Sequence, residues 1–188
     1  MSTDFARRPQ PAPAAPDAPR PPKRSGRTSA RPPARPTAGA ALHSIIAATA
    51  VLLGLVAIGT VIHEPVLIPP LAASAALVHS APSQPLAQPR SLVVGHLLGA
   101  AVGYGVLALA HSSPWAAAVA GGVTLAATMA ARTPHSPACA TAVVVVLQTP
   151  APGRFVPLLL GASVLLALTG FAASRVRRGT PRYPVYWW

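Results

Sequence analysis

The chain has 188 residues and a formal net charge of +12, yet only 3 residues are acidic and 52% are hydrophobic. Between Pro36 and Ser174 the charged side chains are Glu64, Arg90, Arg132 and Arg154. Four charges cannot give so long a stretch the polar surface of a water-soluble domain, whereas a lipid-facing surface needs none. The composition argues against a soluble Ala-rich bundle and predicts an integral membrane protein whose first partner is the lipid bilayer.

The positive charge lies mainly at the two ends of the chain. Eight of the 15 basic residues precede the first apolar run, and four follow the last one. Basic residues that flank apolar spans indicate cytoplasmic ends. We therefore expect a multi-pass protein of a cell membrane, the bacterial plasma membrane in particular, with both termini cytoplasmic. The charge also suits nucleic acid, but no RNA- or DNA-binding motif is present, so no nucleic-acid partner is expected.

Three regions follow from composition. Residues 1–39 are rich in Pro, Arg, Ala and Ser, so they cannot bury enough apolar surface to offset the entropy of ordering and are predicted to be disordered. Residues 40–176 form the membrane domain. Residues 177–188 form a short basic and aromatic tail.

The membrane domain contains six apolar segments in the order long, short, long, long, short, long. They are Leu42–Ile62, Pro70–Ser80, Leu92–Ala110, Trp115–Ala131, Pro137–Leu147 and Phe155–Ser174. An offset of 67 residues places Pro70 on Pro137, Ser74 on Thr141, and each long segment on a long segment. The sequence therefore predicts an all-α polytopic membrane protein built from two three-segment repeats, at about 40–111 and 112–176.

Two topologies are open. If all six segments cross the membrane, Arg90 and Arg132 lie inside with both termini, and the two repeats are inverted relative to each other. If the short segments enter and return, there are four crossings, and three arginines lie outside. The positive-inside rule favours six crossings. Each short helix would then be completed by an extended leg that neighbouring helices shield from lipid.

The two short helices, each opened by proline, are the most informative feature for function. A helix that begins inside the membrane directs free N–H groups and a positive dipole end at whatever precedes it, which suits an anion. Broken helices at matching positions of two repeats mark the midplane site of many transporters. The candidate binding residues are Pro70, Ala73, Ser74, Gln88, Arg90, His135, Pro137, Cys139 and Thr141. The alternative is that the small residues merely permit tight packing, that Gln88 fixes a loop, and that Arg90 anchors a helix end.

Other features carry less chemistry. Gly95, Gly99 and Gly103 form a stripe that lets helices approach closely. The approach can be within one chain or between chains, so the sequence is compatible with a homo-oligomer. His96 is expected to face the bundle. No histidine pair has metal-ligand spacing with carboxylate support, and the lone Cys139 excludes an internal disulfide, so neither a metal nor a cofactor is expected. The membrane domain offers no catalytic set, and we do not expect an enzyme.

The chain resembles the HPP family of integral membrane proteins. The resemblance rests on Ala-Ala-Ser-Ala-Ala-Leu at 72–77, on Pro-Leu-Ala-Gln-Pro-Arg at 85–90 followed by Gly95-His96, and on His135-Ser136-Pro137-Ala-Cys-Ala-Thr-Ala. The name-giving His-Pro-Pro reads His-Ser-Pro here. The family is usually described with four membrane spans, and some plant and cyanobacterial members are associated with nitrite transport.

The leading hypothesis is thus a small transporter or channel for a small anion, with nitrite as the candidate that the resemblance implies. Its site would lie between the starts of the two short helices. The competing hypothesis is a membrane scaffold or accessory subunit that transports nothing. The two hypotheses differ in whether the helix starts face a common polar cavity or a filled interface.

Overall fold

The computed structural model describes residues 34–176 and 182–187. Regular secondary structure in these residues is helical throughout. The α-helices are α1 (Ala38–Ile62), α2 (Pro69–Ser80), α3 (Pro89–Ala110), α4 (Pro114–Ala130), α5 (Ser136–Gln148) and α6 (Pro152–Val176), with a 3₁₀ turn at Pro85–Ala87. Each helix coincides with its predicted segment to within four residues at either end; the largest difference is at α1, which begins at Ala38 and not at Leu42.

Proline and hydroxyl residues set the helix starts. Proline occupies one of the first two positions of α2, α3, α4 and α5, where its missing N–H leaves no helical bond unmade. Helix α6 also begins with proline, at Pro152. Side chains cap two helices: Thr37 Oγ1 at α1 accepts from the Ala40 N–H at 3.3 Å, and Ser113 Oγ at α4 accepts from the Ala116 N–H at 3.1 Å. The proline punctuation read in the sequence therefore defines the ends of these helices.

The start of α1, the end of α6 and the loop between α2 and α3 lie together, on what we call the terminal face. Nε2 of His43 in α1 lies 3.1 Å from the Ala173 carbonyl oxygen in α6. Tyr183 of the C-terminal tail links α6 to the loop. Its hydroxyl donates to the Ala87 carbonyl at 2.9 Å, and its own carbonyl accepts from Ser174 Oγ at 3.2 Å.

The other ends of these elements meet on the opposite face. Arg154, near the start of α6, pairs with Glu64, just after α1, at 2.8 Å. The Tyr104 hydroxyl, towards the end of α3, donates to the Pro150 carbonyl between α5 and α6 at 3.0 Å. The end of α1, the end of α3 and the start of α6 are therefore on one side of the bundle.

These contacts fix the direction of every segment. Arg90 Nη2, at the start of α3, donates to the Ala131 carbonyl at the end of α4 at 3.2 Å, which places the end of α4 on the terminal face. The described chain consequently runs between the two faces six times, with 63–68 and 131–135 as the non-helical legs before α2 and α5. Because α1 leaves the terminal face and α4 returns to it, the two halves are inverted.

The helix contacts also repeat between the halves. Exchange of the halves replaces α1, α2 and α3 by α4, α5 and α6. Under this exchange the α1–α2 contact becomes the α4–α5 contact, and the α2–α6 contact becomes the α5–α3 contact. The α1–α6 contact likewise becomes the α4–α3 contact. The contacts of α2 with α5 and of α3 with α6 map onto themselves when the halves are exchanged. The prediction of an all-α membrane protein with two inverted long–short–long repeats is confirmed.

The outer surface of the bundle is apolar. Helices α1, α3 and α6 are each long and apolar enough to cross a membrane, whereas α4 and α5 are shorter apolar helices. Large aliphatic side chains stand exposed on α1, among them Leu53 at 64% and Val61 at 77%, and Trp115 is exposed at the start of α4. Such a surface is stable against lipid and unfavourable in water.

The glycine stripe lies inside the chain, where α3 crosses α5. A Cβ atom at Gly99 would collide with the Ala138 carbonyl oxygen, and one at Gly103 would lie 2.8 Å from Val145 Cβ. The backbones of α3 and α5 can approach this closely because the stripe carries no side chains. The stripe therefore serves packing within one chain.

Candidate functional site

The two short helices bring matching hydroxyl groups to the two nitrogens of one imidazole ring. Ser74 of α2 and Thr141 of α5 occupy equivalent positions of the two repeats, and both side chains are fully buried. Ser74 Oγ lies 2.9 Å from Nε2 of His96, and Thr141 Oγ1 lies 2.7 Å from Nδ1 of the same ring. His96, on α3, is therefore held between the two halves.

A second imidazole completes the arrangement. His135, the last residue before α5, places its Nε2 2.9 Å from Ser74 Oγ and 3.3 Å from Nε2 of His96. Its Nδ1 lies 2.8 Å from the Leu86 carbonyl oxygen. The ring can reach α3 because residue 95 is glycine: a Cβ there would lie 2.7 Å from His135 Cβ. We call Ser74, His96, His135 and Thr141 the histidine–hydroxyl cluster.

The partners of these atoms determine where the hydrogens lie when both rings are neutral. A carbonyl oxygen only accepts, so Nδ1 of His135 carries a hydrogen for Leu86, and its Nε2 accepts. One arrangement then satisfies every remaining atom. Thr141 donates to His96 Nδ1, His96 Nε2 donates to Ser74 Oγ, and the Ser74 hydroxyl donates to His135 Nε2. The cluster is thus a continuous chain of hydrogen bonds in which each group donates to the next, from Thr141 through His96 and Ser74 to His135.

Five of the predicted site residues contribute to this cluster. Ser74, Thr141 and His135 are members. Pro70 and Pro137 are buried next to them, and their carbonyl oxygens lie 3.0 Å from Ser74 Oγ and 3.4 Å from Thr141 Oγ1. Each hydroxyl therefore has a second acceptor four residues earlier in its own helix.

The other four predicted site residues lie elsewhere. Ala73 is exposed on α2 and Cys139 is half-buried on α5, because one residue along a helix turns the side chain by about 100° and two by about 200°. Arg90 donates a hydrogen bond to the Ala131 carbonyl. This contact fits the alternative interpretation, in which Arg90 anchors a helix end. Gln88 fixes the loop before α3.

Gln88 is fully buried and joins the loop before α3 to the C-terminal tail. Its Nε2 donates to the carbonyls of Pro82 and Gln84, each at 2.9 Å, and its Oε1 accepts from the Val185 N–H at 2.9 Å. Close by, Tyr183 is 1% exposed. Although it belongs to the short basic and aromatic tail, Tyr183 lies in the core. Burial raises the pKa of its phenol, which remains a hydrogen-bond donor.

His96 was expected to face the bundle but was not among the predicted site residues. Two signals could have identified it. A histidine inside a membrane-spanning helix is costly and usually serves function. His96 also precedes Gly99 by three residues and Gly103 by seven, so it borders the stripe that marks the packed side of α3.

The site does not match the geometry expected for an open anion site. The exposed fractions of the four cluster side chains are between 0% and 2%, so the region between the short helices is filled. The helix starts do not face each other across a space: α2 and α5 pack side by side, and Ser74 lies more than one turn beyond the start of α2. The structure therefore holds a closed polar interior.

A separate cavity of about 530 Å³ opens at the terminal face between α1, α2 and α6. Its wall includes His43, Ser80 and Gln84, together with His79, whose Nε2 has no hydrogen-bond partner among the described residues. None of the four cluster residues lines this cavity. Among the described residues, no group of three or more His, Cys, Asp or Glu side chains is placed to hold a metal ion.

An apolar helical bundle with inverted repeats and a buried polar centre defines a polytopic integral membrane protein. The chain belongs to the HPP family, since the model of the HPP transmembrane region matches residues 33–184. The residue that departs from the family's His-Pro-Pro, Ser136, is exposed at the first position of α5 and lies outside the cluster.

Two transmembrane proteins of Dictyostelium discoideum are similar to this chain. One is 36% identical over 132 residues, which cover 65% of this chain and 46% of that protein. The other is 36% identical over 126 residues, which cover 62% of this chain and 40% of that protein. The matched region thus spans less than half of either relative. No solved structure matches the chain.

Proposed function

We propose that this protein carries a small anion across the membrane, with nitrite as the candidate that the family resemblance suggests. It acts as a carrier and not as an enzyme, it crosses the membrane six times, and both termini are cytoplasmic. The observation that carries the proposal is the junction of the inverted repeats, where Ser74 of one and Thr141 of the other bond the same imidazole ring.

Inverted repeats support transport because two related halves can exchange roles. In carriers of this kind, the substrate site lies where the broken helices of both halves meet, and rocking of one half against the other opens it to alternate sides. Here the broken helices α2 and α5 pack on each other, and the histidine–hydroxyl cluster lies at their junction. The pairwise helix contacts, which are preserved on exchange of the halves, fit such a movement.

The closed interior favours a carrier over a channel. A channel needs a continuous polar path, whereas all four cluster side chains are shielded on every side. In a carrier this state is the occluded one, and an anion reaches the cluster after the halves separate. The start of α5 then offers backbone N–H groups, and the two imidazoles and two hydroxyls offer further donors.

A membrane scaffold without transport activity is the second candidate. The filled region between α2 and α5 favours it, because a scaffold needs a bundle that packs and no cavity. The buried imidazoles favour transport instead, since a scaffold gains nothing from polar groups that aliphatic side chains could replace.

Uptake by proteoliposomes tests the proposal. Vesicles that contain the purified full chain should take up nitrite faster than protein-free vesicles, at alkaline pH where passive entry of nitrous acid is slow. Nitrate, chloride and formate, together with neutral solutes, form the comparison panel. Failure of the whole panel to exceed protein-free vesicles would leave the scaffold as the better description.

Two threonine variants make the test specific to the cluster. Thr141→Val removes the hydroxyl that bonds His96, and we expect uptake to fall about tenfold, the equivalent of one buried hydrogen bond. Thr128→Val is the matched control, because Thr128 is equally buried but donates to carbonyls of its own helix, at Thr124 and Leu125. Equal losses in the two variants would mean that uptake does not depend on the cluster.

A further inference from the structure

The cluster can accept one additional proton without losing a hydrogen bond. If the proton adds to Nε2 of His135, this atom becomes a donor to Ser74 Oγ, and the Ser74 hydroxyl turns to the Pro70 carbonyl, 3.0 Å away. Ser74 Oγ then accepts from both imidazoles through its two lone pairs. The 3.3 Å separation of the two Nε2 atoms is tolerated because an oxygen lies between their hydrogens.

The other half of the chain provides the same possibility. If the proton adds to Nδ1 of His96, this atom donates to Thr141 Oγ1, and the Thr141 hydroxyl turns to the Pro137 carbonyl at 3.4 Å. The neutral chain of bonds links the two positions, so a proton received by one imidazole can be passed to the other through the Ser74 hydroxyl. In that transfer Ser74 gives its hydrogen to one ring and takes a hydrogen from the other.

A protonated cluster would lack a protein counter-charge. Glu64 is the sole carboxylate side chain among the described residues, and it is paired with Arg154 on the opposite face. The other titratable side chains on the elements packed around the cluster are His79, Arg90, Tyr104, Arg132, Cys139, Arg154 and Arg175. None of them is an acid that is negative at neutral pH. An unpaired charge inside the bundle is costly, so the added proton favours a bound anion.

From these observations we propose that the His96–His135 pair takes up one proton when the anion binds, so that proton and anion cross the membrane together. This inference rests on the proposed function and adds the co-transported ion. The step is balanced: one H⁺ from solution forms an N–H bond on one imidazole, the anion binds beside it, and both leave on the other side. The coupling is reciprocal, so each ligand raises the affinity for the other.

Dependence of nitrite uptake on membrane potential tests the coupling directly. Proteoliposomes of the full chain are loaded with a pH-sensitive dye, and their potential is set with potassium and valinomycin. A lone monovalent anion would accumulate about 50-fold less against an interior-negative potential of about 100 mV. A proton–anion pair carries no net charge, so we expect uptake unaffected by potential and about one proton entering per nitrite.

The alternative results separate the inference from the proposed function. Nitrite uptake that falls with an interior-negative potential and brings no protons would overturn the coupling and leave anion transport intact. Absence of protein-dependent uptake would overturn both. These measurements need no variant, so they do not depend on a substitution that could prevent folding.

Serine variants add a readout that a structural role would not produce. In Ser74→Ala the neutral rings can still bond each other directly, but a proton on Nε2 of His135 would set its N–H against the Nε2–H of His96. Only Nδ1 of His96 could then hold the proton, and the hydroxyl that relays it between the rings is gone, so proton entry per nitrite should fall below one. Ser163→Ala is the matched control, because Ser163 is equally buried and donates to Leu159 of its own helix. Ser74→Thr, which copies the other repeat, should restore the coupling. An unchanged proton-to-nitrite ratio in Ser74→Ala would overturn the assigned route.

Discussion

Replacement of Gly99 by alanine tests the close contact of α3 and α5 on which the whole site depends. The added Cβ would collide with the carbonyl oxygen of Ala138 and would lie 3.1 Å from its carbonyl carbon and 3.3 Å from Thr141 Cβ. Two of these atoms belong to the backbone of α5 and cannot rotate away. Relief therefore requires α3 and α5 to separate, which also draws Thr141 away from His96.

The expected cost is large compared with the effect of alanine on the helix itself. An extra methyl group in a packed interior typically costs about 1–3 kcal/mol, and here the obstacle is backbone, so the upper part of that range applies. Alanine in place of glycine returns about 0.8–1.0 kcal/mol of helix propensity. We therefore expect Gly99→Ala to lower the free energy of unfolding by about 1–2 kcal/mol.

Gly105→Ala provides the matched control on the same helix. Gly105 is exposed, and a Cβ there meets no atom within 4 Å. This variant should be neutral or more stable by up to about 1 kcal/mol. Unfolding of purified protein by SDS in mixed micelles, followed by circular dichroism, gives both free energies, and nitrite uptake by the folded fraction reports the cluster.

Equal stability changes in Gly99→Ala and Gly105→Ala would refute the packing of α3 on α5. A Gly99→Ala protein that unfolds like the parent chain but changes its oligomeric state would show that the stripe joins separate chains. Either result would also contradict the close contact between Gly95 and His135, which allows the His135 ring to reach α3.

Three further changes test other parts of the molecule. Tyr183→Phe leaves the Ala87 carbonyl without its buried donor and should cost about 1–3 kcal/mol in the same unfolding assay. Glu64→Gln breaks an ion pair at the surface and should cost no more than about 1 kcal/mol. In a cysteine-free background, Gln84→Cys and Thr149→Cys should react with impermeant thiol reagents from opposite sides of the membrane, and labelling from one side would contradict six crossings.

The helices and their repeat could be predicted because their signals are local. Proline at Pro70 and Pro137 marks the two short helix starts, and an apolar run reports its own length. The offset that aligned Ser74 with Thr141 also predicted that their side chains are equivalent, and both bond His96. These features depend on the chain within a few residues or on its internal repetition, and both can be read from one sequence.

The site was predicted less completely because it depends on contacts between distant segments. Ala73 and Cys139 were included for their small size beside a hydroxyl position, but the helical rotation turns them away from it. Tyr183 carries no local sign that it enters the core, since its hydroxyl bonds Ala87, 96 residues earlier in the chain. The sequence predicted that His96 faces the bundle, but its partners Ser74 and Thr141 lie on two other helices and are not indicated by any local signal.

The helices of the two halves are arranged symmetrically, but the residues that form the histidine–hydroxyl cluster are not. The position that matches His96 in the second repeat is Ser163, whose hydroxyl donates within its own helix, and the position that matches His135 in the first repeat is Ile68, a buried aliphatic residue. The two hydroxyls thus come from equivalent positions of the halves, whereas the two imidazoles come from positions that the repeat does not relate.

This asymmetry bears on the direction of proton entry. His135 bonds the Leu86 carbonyl, and Leu86 belongs to the loop at the terminal face, where Ser83 and Gln84 are exposed. On the opposite side the equivalent leg ends in Ile68, whose aliphatic side chain cannot make such a bond. The Leu86 carbonyl therefore links the cluster to the loop of the terminal face, and under the proposed coupling we expect the proton to be exchanged there.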